Sequence, residues 1–110
     1  MKRLFRTGLL FLIVCLCALS SFTASAQEVY EGLDVSVWQD EIDFQKVKDS
    51  GKQVVYIRAG EGREEDRRFR AHTQGAMDAG MKVGFYFFVT ATDAAQAREQ
   101  ADFFASLIQE

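Results

Sequence analysis

The sequence predicts an α/β fold with a parallel sheet, and three observations carry that reading. Strand-like and helix-like patterns alternate in the order βαβαβα along residues 27–110. The last strand pattern is an almost unbroken apolar and aromatic run, as expected of a strand covered on both faces. Capping residues and glycines stand where each helix should start or stop. Alternation of this kind with right-handed crossovers gives either an open doubly wound sheet or a closed barrel, and periodicity alone leaves both open.

The first 26 residues are set apart from that fold. Lys2, Arg3 and Arg6 form a basic start, Leu9 to Leu19 is apolar, and Ala24-Ser25-Ala26 offers small residues at a signal-peptidase spacing. Residues 1–26 are therefore expected to be a secretory signal cleaved before Gln27. The apolar run is shorter than the ~20 residues a membrane span needs, so no stable membrane anchor is expected after cleavage, and the mature protein should be secreted or periplasmic. Cys15 and Cys17 both lie in this segment, and neither follows a lipoprotein attachment pattern. A mature chain without cysteine has no disulfide, thiolate nucleophile or Cys-ligated metal.

Charge narrows the partners. Three of the 13 Lys and Arg residues and none of the 16 Asp and Glu residues fall in the signal, which leaves 10 against 16 and a formal charge of −6. A chain this acidic is poorly suited to phosphate backbones, so a nucleic-acid partner is not expected.

Within residues 27–110, Gly32 to Val37 reads as the first strand, with Leu33, Val35 and Val37 on one face and Asp34 and Ser36 on the other. Asp43 caps a helix starting at Phe44, with Gly51 just past its end. Gln53 to Ala59 reads as the second strand. A second helix is expected from about Asp66 to Ala79, with Phe69, Thr73, Ala76 and Met77 as its apolar stripe and Gly80 ending it. Lys82 to Thr90 is the third strand. Asp93 caps a third helix, whose apolar stripe is read as Ala94, Ala97, Ala101, Phe104 and Ile108.

Both candidate architectures place function at the C-terminal ends of the strands. There the sequence sets Asp34 with Ser36-Val37-Trp38-Gln39, then Gly60-Glu61-Gly62, then Tyr86 to Thr90. Carboxylates, an amide, an indole and a phenol on one rim suit a sugar cleft, where aromatic faces stack on pyranose C–H surfaces and carboxylates serve glycosidic chemistry. The candidate catalytic residue is Asp34, and the candidate substrate-binding residues are Trp38, Gln39, Glu61 and Tyr86. Trp38 has a packing alternative, covering the mouth of the sheet. Arg58 reads as an internal ion-pair partner, His72 as a solvated histidine, and Arg63 to Arg68 as a solvated mixed-charge loop and helix start. Gly60-x-Gly62 lacks the third glycine of a dinucleotide fingerprint. No metal ligand set or cofactor is indicated.

At these positions the sequence resembles glycoside hydrolase family 25. Gly32-Leu33-Asp34-Val35-Ser36-Val37-Trp38-Gln39 is similar to the opening motif of that family, and Ile42-Asp43-Phe44 through Val47-Lys48-Asp49-Ser50-Gly51 to its continuation. Tyr56 to Gly62, the Asp66-x-x-Phe69 step, Gly75-Ala76 to Ala79-Gly80, and Val83 to Phe88 resemble later blocks in the same order. The resemblance implies a TIM-like (β/α) barrel, of which residues 27–110 would supply the first three βα units. It also implies a muramidase that hydrolyses the β-1,4 bond between N-acetylmuramic acid and N-acetylglucosamine, with peptidoglycan glycan strands as partner and Asp34 at the cleft floor. The family's general acid is a glutamate in a D-x-E motif on the fourth strand, which this chain does not reach, so the resemblance implies a fragment of a longer enzyme. A non-catalytic glycan-binding half barrel is the alternative. A flavodoxin-like phosphate binder fits less well, because the first βα loop carries Trp and acids in place of a glycine-rich cradle. Phe87 departs from the family pattern, in which His often stands there.

Overall fold

The computed structural model describes residues 26–109, so the signal reading and both cysteines lie outside the described residues. The elements are β1 (Gly32–Val35), a 3-10 turn (Val37–Gln39), α1 (Phe44–Asp49), β2 (Val54–Glu61), β3 (Glu64–Glu65), α2 (Phe69–Asp78), β4 (Lys82–Phe88) and α3 (Ala94–Ile108). β2 is central and pairs in parallel with β1 on one side and β4 on the other. The two-residue β3 folds back antiparallel on the end of β2. The expected parallel sheet thus holds for three strands, and the hairpin makes the sheet mixed.

Local chemistry explains the helix boundaries. Asp43 Oδ1 accepts the Lys46 amide at 3.1 Å and Asp93 Oδ1 accepts the Gln96 amide at 2.8 Å, so both expected caps are in place. α2 ends as expected at Gly80, whose φ of 69° suits a residue without Cβ. There the Met81 amide donates to Ala76 O at 3.0 Å and the Gly80 amide to Met77 O at 2.9 Å, the paired bonds of a Schellman ending.

The sheet has an apolar face and a polar face. Val35, Val55, Ile57 and Ala59 are fully buried under the helices, together with Phe44, Phe69, Ala76, Ala79, Met81 and Leu107. Leu33, Val83, Phe85 and Phe87 pack against that core. The opposite face carries Asp34, Tyr56, Arg58, Gly84 and Tyr86, because strand side chains alternate. Burial of β4 on both faces is not borne out: Phe85 and Phe87 pack inward, while Phe88 is half exposed.

Two helix stripes also differ from expectation. In α2 the buried residues are Phe69, His72 and Ala76, and Met77 is exposed. In α3 the buried residues are Gln100 and Leu107, with Phe103 and Phe104 packed against the core, while Ala94, Ala97, Ala101 and Ile108 are exposed. Alanines offer little apolar area to bury, so the phenylalanines and Leu107 decide which way the helix turns.

Candidate active site

The register of the three parallel strands builds the site in two rows. Asp34 pairs with Tyr56, and Tyr56 with Gly84. The next row on the same face is Arg58 paired with Tyr86, with Ser36 just beyond the end of β1. Gly84 makes room for its neighbour, since a Cβ there would lie 2.7 Å from Tyr56 Cε1. Asp34 is exposed, because its face of the sheet has no layer packed on it among the described residues.

A bulge in β2 brings Glu61 to this face. Arg58 pairs with Tyr86 but Gly60 pairs with Phe87, which leaves Ala59 as the extra residue. A one-residue slip exchanges the faces of everything after it. Glu61 therefore follows Arg58 to the polar side, and its Oε2 accepts from Arg58 Nη1 at 2.9 Å. Arg58 Nε donates to Asp66 Oδ2 at 2.8 Å. The expected internal ion-pair role of Arg58 holds, with two carboxylates sharing one guanidinium.

Asp66 is the residue that sequence reasoning missed. Its side chain is entirely buried, and it accepts the Val37 amide at 2.9 Å and the Arg68 amide at 2.8 Å as well as the Arg58 guanidinium. The reading of Arg63 to Arg68 as a solvated loop is corrected at this position. Burial works to raise the Asp66 pKa, but the two amides and Arg58 overcome it and hold the carboxyl below its ordinary value. One acid among the neighbours Glu64 and Glu65 has no local mark of burial. Its signal is the spacing to Phe69, the first buried residue of α2.

Tyr86 senses the same cluster. Burial raises its pKa above the ordinary 10.0, and the negative charge of Asp34 adds to this, while Arg58 and a hydrogen bond with Ser36 pull the other way. Asp34, Ser36, Arg58 and Tyr86 thus share one electrostatic environment. The mixture offers a carboxylate for charge stabilisation or attack and hydroxyls for a sugar ring.

Trp38 and Gln39 stand beside it on the 3-10 turn. Trp38 is 83% exposed. Gln39 folds back, its side-chain oxygen accepting the Ser36 amide at 2.7 Å in a capping box. The Gln39 oxygen therefore serves the turn first. A concavity of about 560 Å³ lies between the β2–β3 hairpin and α3. Glu61 lines it with Arg63, Thr90 and Gln100, and Asp34, Trp38, Gln39 and Tyr86 do not. The structure thus gathers Asp34 and Tyr86 on one face and the Trp38 turn at its edge, with Glu61 reaching the group through Arg58.

His72 is the second correction. It is 3% exposed where a solvated side chain is expected, edge-on to Phe44 at 5.8 Å, with Nε2 2.6 Å from Asp40 O. Among the described residues no group of three His, Cys, Asp or Glu side chains is placed to hold a metal ion.

The model of the glycosyl hydrolases of family 25 matches residues 33–110. The chain belongs to that family. Two curated relatives are the autolytic lysozyme of Clostridium acetobutylicum, 40% identical over 70 residues, and lysozyme M1 of Streptomyces globisporus, 42% identical over 77 residues. Those matches cover 63% and 69% of this chain but 22% and 26% of the relatives, so the chain spans about a quarter of their length. Among solved structures, the bacterial lysozyme of Streptomyces coelicolor is 38% identical with a TM-score of 0.63, over 74% of this chain and 37% of that one. The muramidase of Trichobolus zukalii is 35% identical with a TM-score of 0.63, over 71% and 38%. The α/β fold with its mixed sheet is similar to that of these solved structures over the part they share.

Proposed function

We propose that this chain forms part of a peptidoglycan hydrolase, an N-acetylmuramidase that cleaves the β-1,4 bond between N-acetylmuramic acid and N-acetylglucosamine in cell-wall catabolism. The observation that carries this reading is the placement of Asp34. It is an exposed carboxylate on the polar sheet face, near enough to Tyr86 for its charge to raise the phenol's pKa, in a chain whose relatives are named lysozymes and muramidases. Asp34 serves as the carboxylate that stabilises or attacks the oxocarbenium-like centre. Trp38 offers a stacking face to a sugar ring, Tyr86 a hydroxyl, and Glu61 and Gln39 polar contacts at the margin.

Glycosidic cleavage also needs a proton donor across the scissile bond. Glu61 is a poor candidate, because its side-chain oxygen is turned onto Arg58 Nη1 at 2.9 Å. The donor then comes from a further part of a (β/α) barrel, of which β1, β2 and β4 with their helices are the first three units. Two features support this larger barrel: the parallel order of those strands, and a sheet face that is polar yet carries half-exposed Tyr56 and Phe88. The basic start, the apolar run and Ala24-Ser25-Ala26 support export to the cell wall, with cleavage before Gln27.

The test is loss of turbidity and release of reducing ends from purified cell walls. It compares the 110-residue chain, the same segment joined to a complete family 25 C-terminal half, and the Asp34→Asn variant of the joined protein. Lysis by the joined protein alone, abolished by Asp34→Asn, is the expected result. Lysis that survives Asp34→Asn removes Asp34 from the catalytic centre.

A further inference from the structure

The turn that carries Trp38 is held more firmly than its packing requires. Trp38 itself buries almost nothing, yet the backbone on both sides of it is fixed. The Val37 amide donates to buried Asp66, Ser36 and Gln39 close a capping box, and the Asp40 amide returns to Val37 O at 3.2 Å. Asp40 then adopts φ 50° and ψ −128°, the only non-glycine with positive φ among the described residues. Such a conformation costs on the order of 1–3 kcal/mol and persists only where its surroundings over-determine it. Here they do so from α2 and its N-cap residue. Arg68 pairs with the Asp40 carboxylate, and His72 Nε2 lies 2.6 Å from the Asp40 carbonyl oxygen.

The chemistry of that last contact is directional. A carbonyl oxygen only accepts, so Nε2 carries the proton and donates it. The other ring nitrogen, Nδ1, is buried with no hydrogen-bond partner among the described residues. Leaving a buried polar atom unsatisfied costs stability. A histidine kept at that cost is best explained by what its donating nitrogen does.

We propose that His72 is a positioning residue, whose Nε2–H clamps the Asp40 carbonyl and thereby fixes the backbone that presents Trp38. A solvent-facing aromatic held rigidly by groups behind it loses little freedom when a ligand stacks on it. The importance of the clamp for glycan binding rests on the proposed muramidase reading, whereas the clamp itself does not.

Two amide substitutions separate this from mere space-filling. In His72→Gln the amide nitrogen takes the place of Nε2 and still reaches Asp40. In His72→Asn it takes the place of Nδ1 and falls short. Trp38 is the only tryptophan of the chain, so its fluorescence anisotropy and acrylamide quenching report on this turn directly. In the ligand-free 110-residue chain, His72→Gln is expected to match the parent, and His72→Asn to show lower anisotropy and faster quenching. Affinity for N-acetylglucosamine oligomers should weaken by about twofold to tenfold in His72→Asn, the range one hydrogen bond supplies. Parent-like Trp38 signals in both variants, or equal disturbance in both, overturn the proposal. A loosened Trp38 in His72→Asn alone, with no oligomer binding by the segment joined to a complete family 25 C-terminal half, supports the clamp and counts against the muramidase reading.

Discussion

Arg58 and Asp66 face each other across 2.8 Å with both side chains withdrawn from water, and this pair ties the rim of β2 to the Trp38 turn. Asp66 accepts from the Arg58 guanidinium with the same oxygen that accepts the Val37 amide. Removing its charge breaks a buried pair from one side, which typically costs about 3 kcal/mol or more. Asp66→Asn should therefore lower the unfolding midpoint markedly in thermal or urea denaturation. The pH dependence has a definite sign. Asp66 has a folded-state pKa below 3.8, so its contribution is complete above 3.8 and drains away as the pH falls through the folded value. An acid limb that is equally steep in Asp66→Asn would refute this assignment.

Gly60 and Gly84 predict costs of different size from similar crowding. A Cβ at Gly60 would sit 2.4 Å from the Glu64 carbonyl oxygen and 2.9 Å from Phe87 Cε2, and the first of these is backbone that cannot yield without opening the β2–β3 hairpin. Gly60→Ala should cost about 1–3 kcal/mol, as overpacking does. At Gly84 the obstacle is the Tyr56 ring, which is half exposed and free to swing outward. Gly84→Ala should cost under about 1 kcal/mol in chemical denaturation, since the strand gains a less flexible residue. Equal losses in the two variants would contradict this reading of the bulge.

Tyr86 reports on Asp34. Burial and the Asp34 charge raise the phenol above 10.0. Tyr86 should therefore ionise above the ordinary phenol value in an ultraviolet phenolate titration, and Asp34→Asn should bring it down. A pKa raised by folding contributes stability that is complete below the unfolded value near 10 and is lost as the pH rises through the folded one. Tyr86→Phe should remove that alkaline limb. An unchanged Tyr86 titration in Asp34→Asn would separate the two residues.

Much of this was legible from residue order, and the exceptions share a cause. Caps at Asp43 and Asp93, the ending at Gly80 and the strand cores are local signals, read from a few neighbouring residues. The gathering of Asp34 and Tyr86 on one sheet face, with the Trp38 turn at its edge, was legible because the strand pattern itself sets which side chains share a face. Asp66, His72 and Gln100 were not. Asp66 looks like its solvated neighbours until Val37, 29 residues away, needs an acceptor. His72 became a core residue only because Asp40 and Phe44 close over α2. Gln100 is buried to accept the Thr90 amide at 2.9 Å, which no helical period announces. The bulge that turns Glu61 to the polar face leaves no mark in the alternation of β2 until the register with β4 is known.

The remaining prediction separates chemistry from binding in the segment joined to a complete family 25 half. Asp34 and Trp38 lie close in sequence but differ in what the reaction asks of them. A carboxylate that meets developing positive charge acts chiefly in the transition state, so Asp34→Asn should lower kcat by orders of magnitude and leave KM within a few fold. An indole stacked on a sugar acts in the ground state and the transition state alike, so Trp38→Ala should raise KM with kcat largely kept. Neither substitution should disturb the fold, because Asp34 is exposed and Trp38 is 83% exposed. The measurement is release of reducing ends against substrate concentration on soluble glycan strands, with thermal midpoints recorded for each variant. If Trp38→Ala leaves KM unchanged, Trp38 is no stacking platform. If Asp34→Asn raises KM and spares kcat, Asp34 is a binding carboxylate, and the catalytic charge stabiliser must be sought elsewhere on the same face.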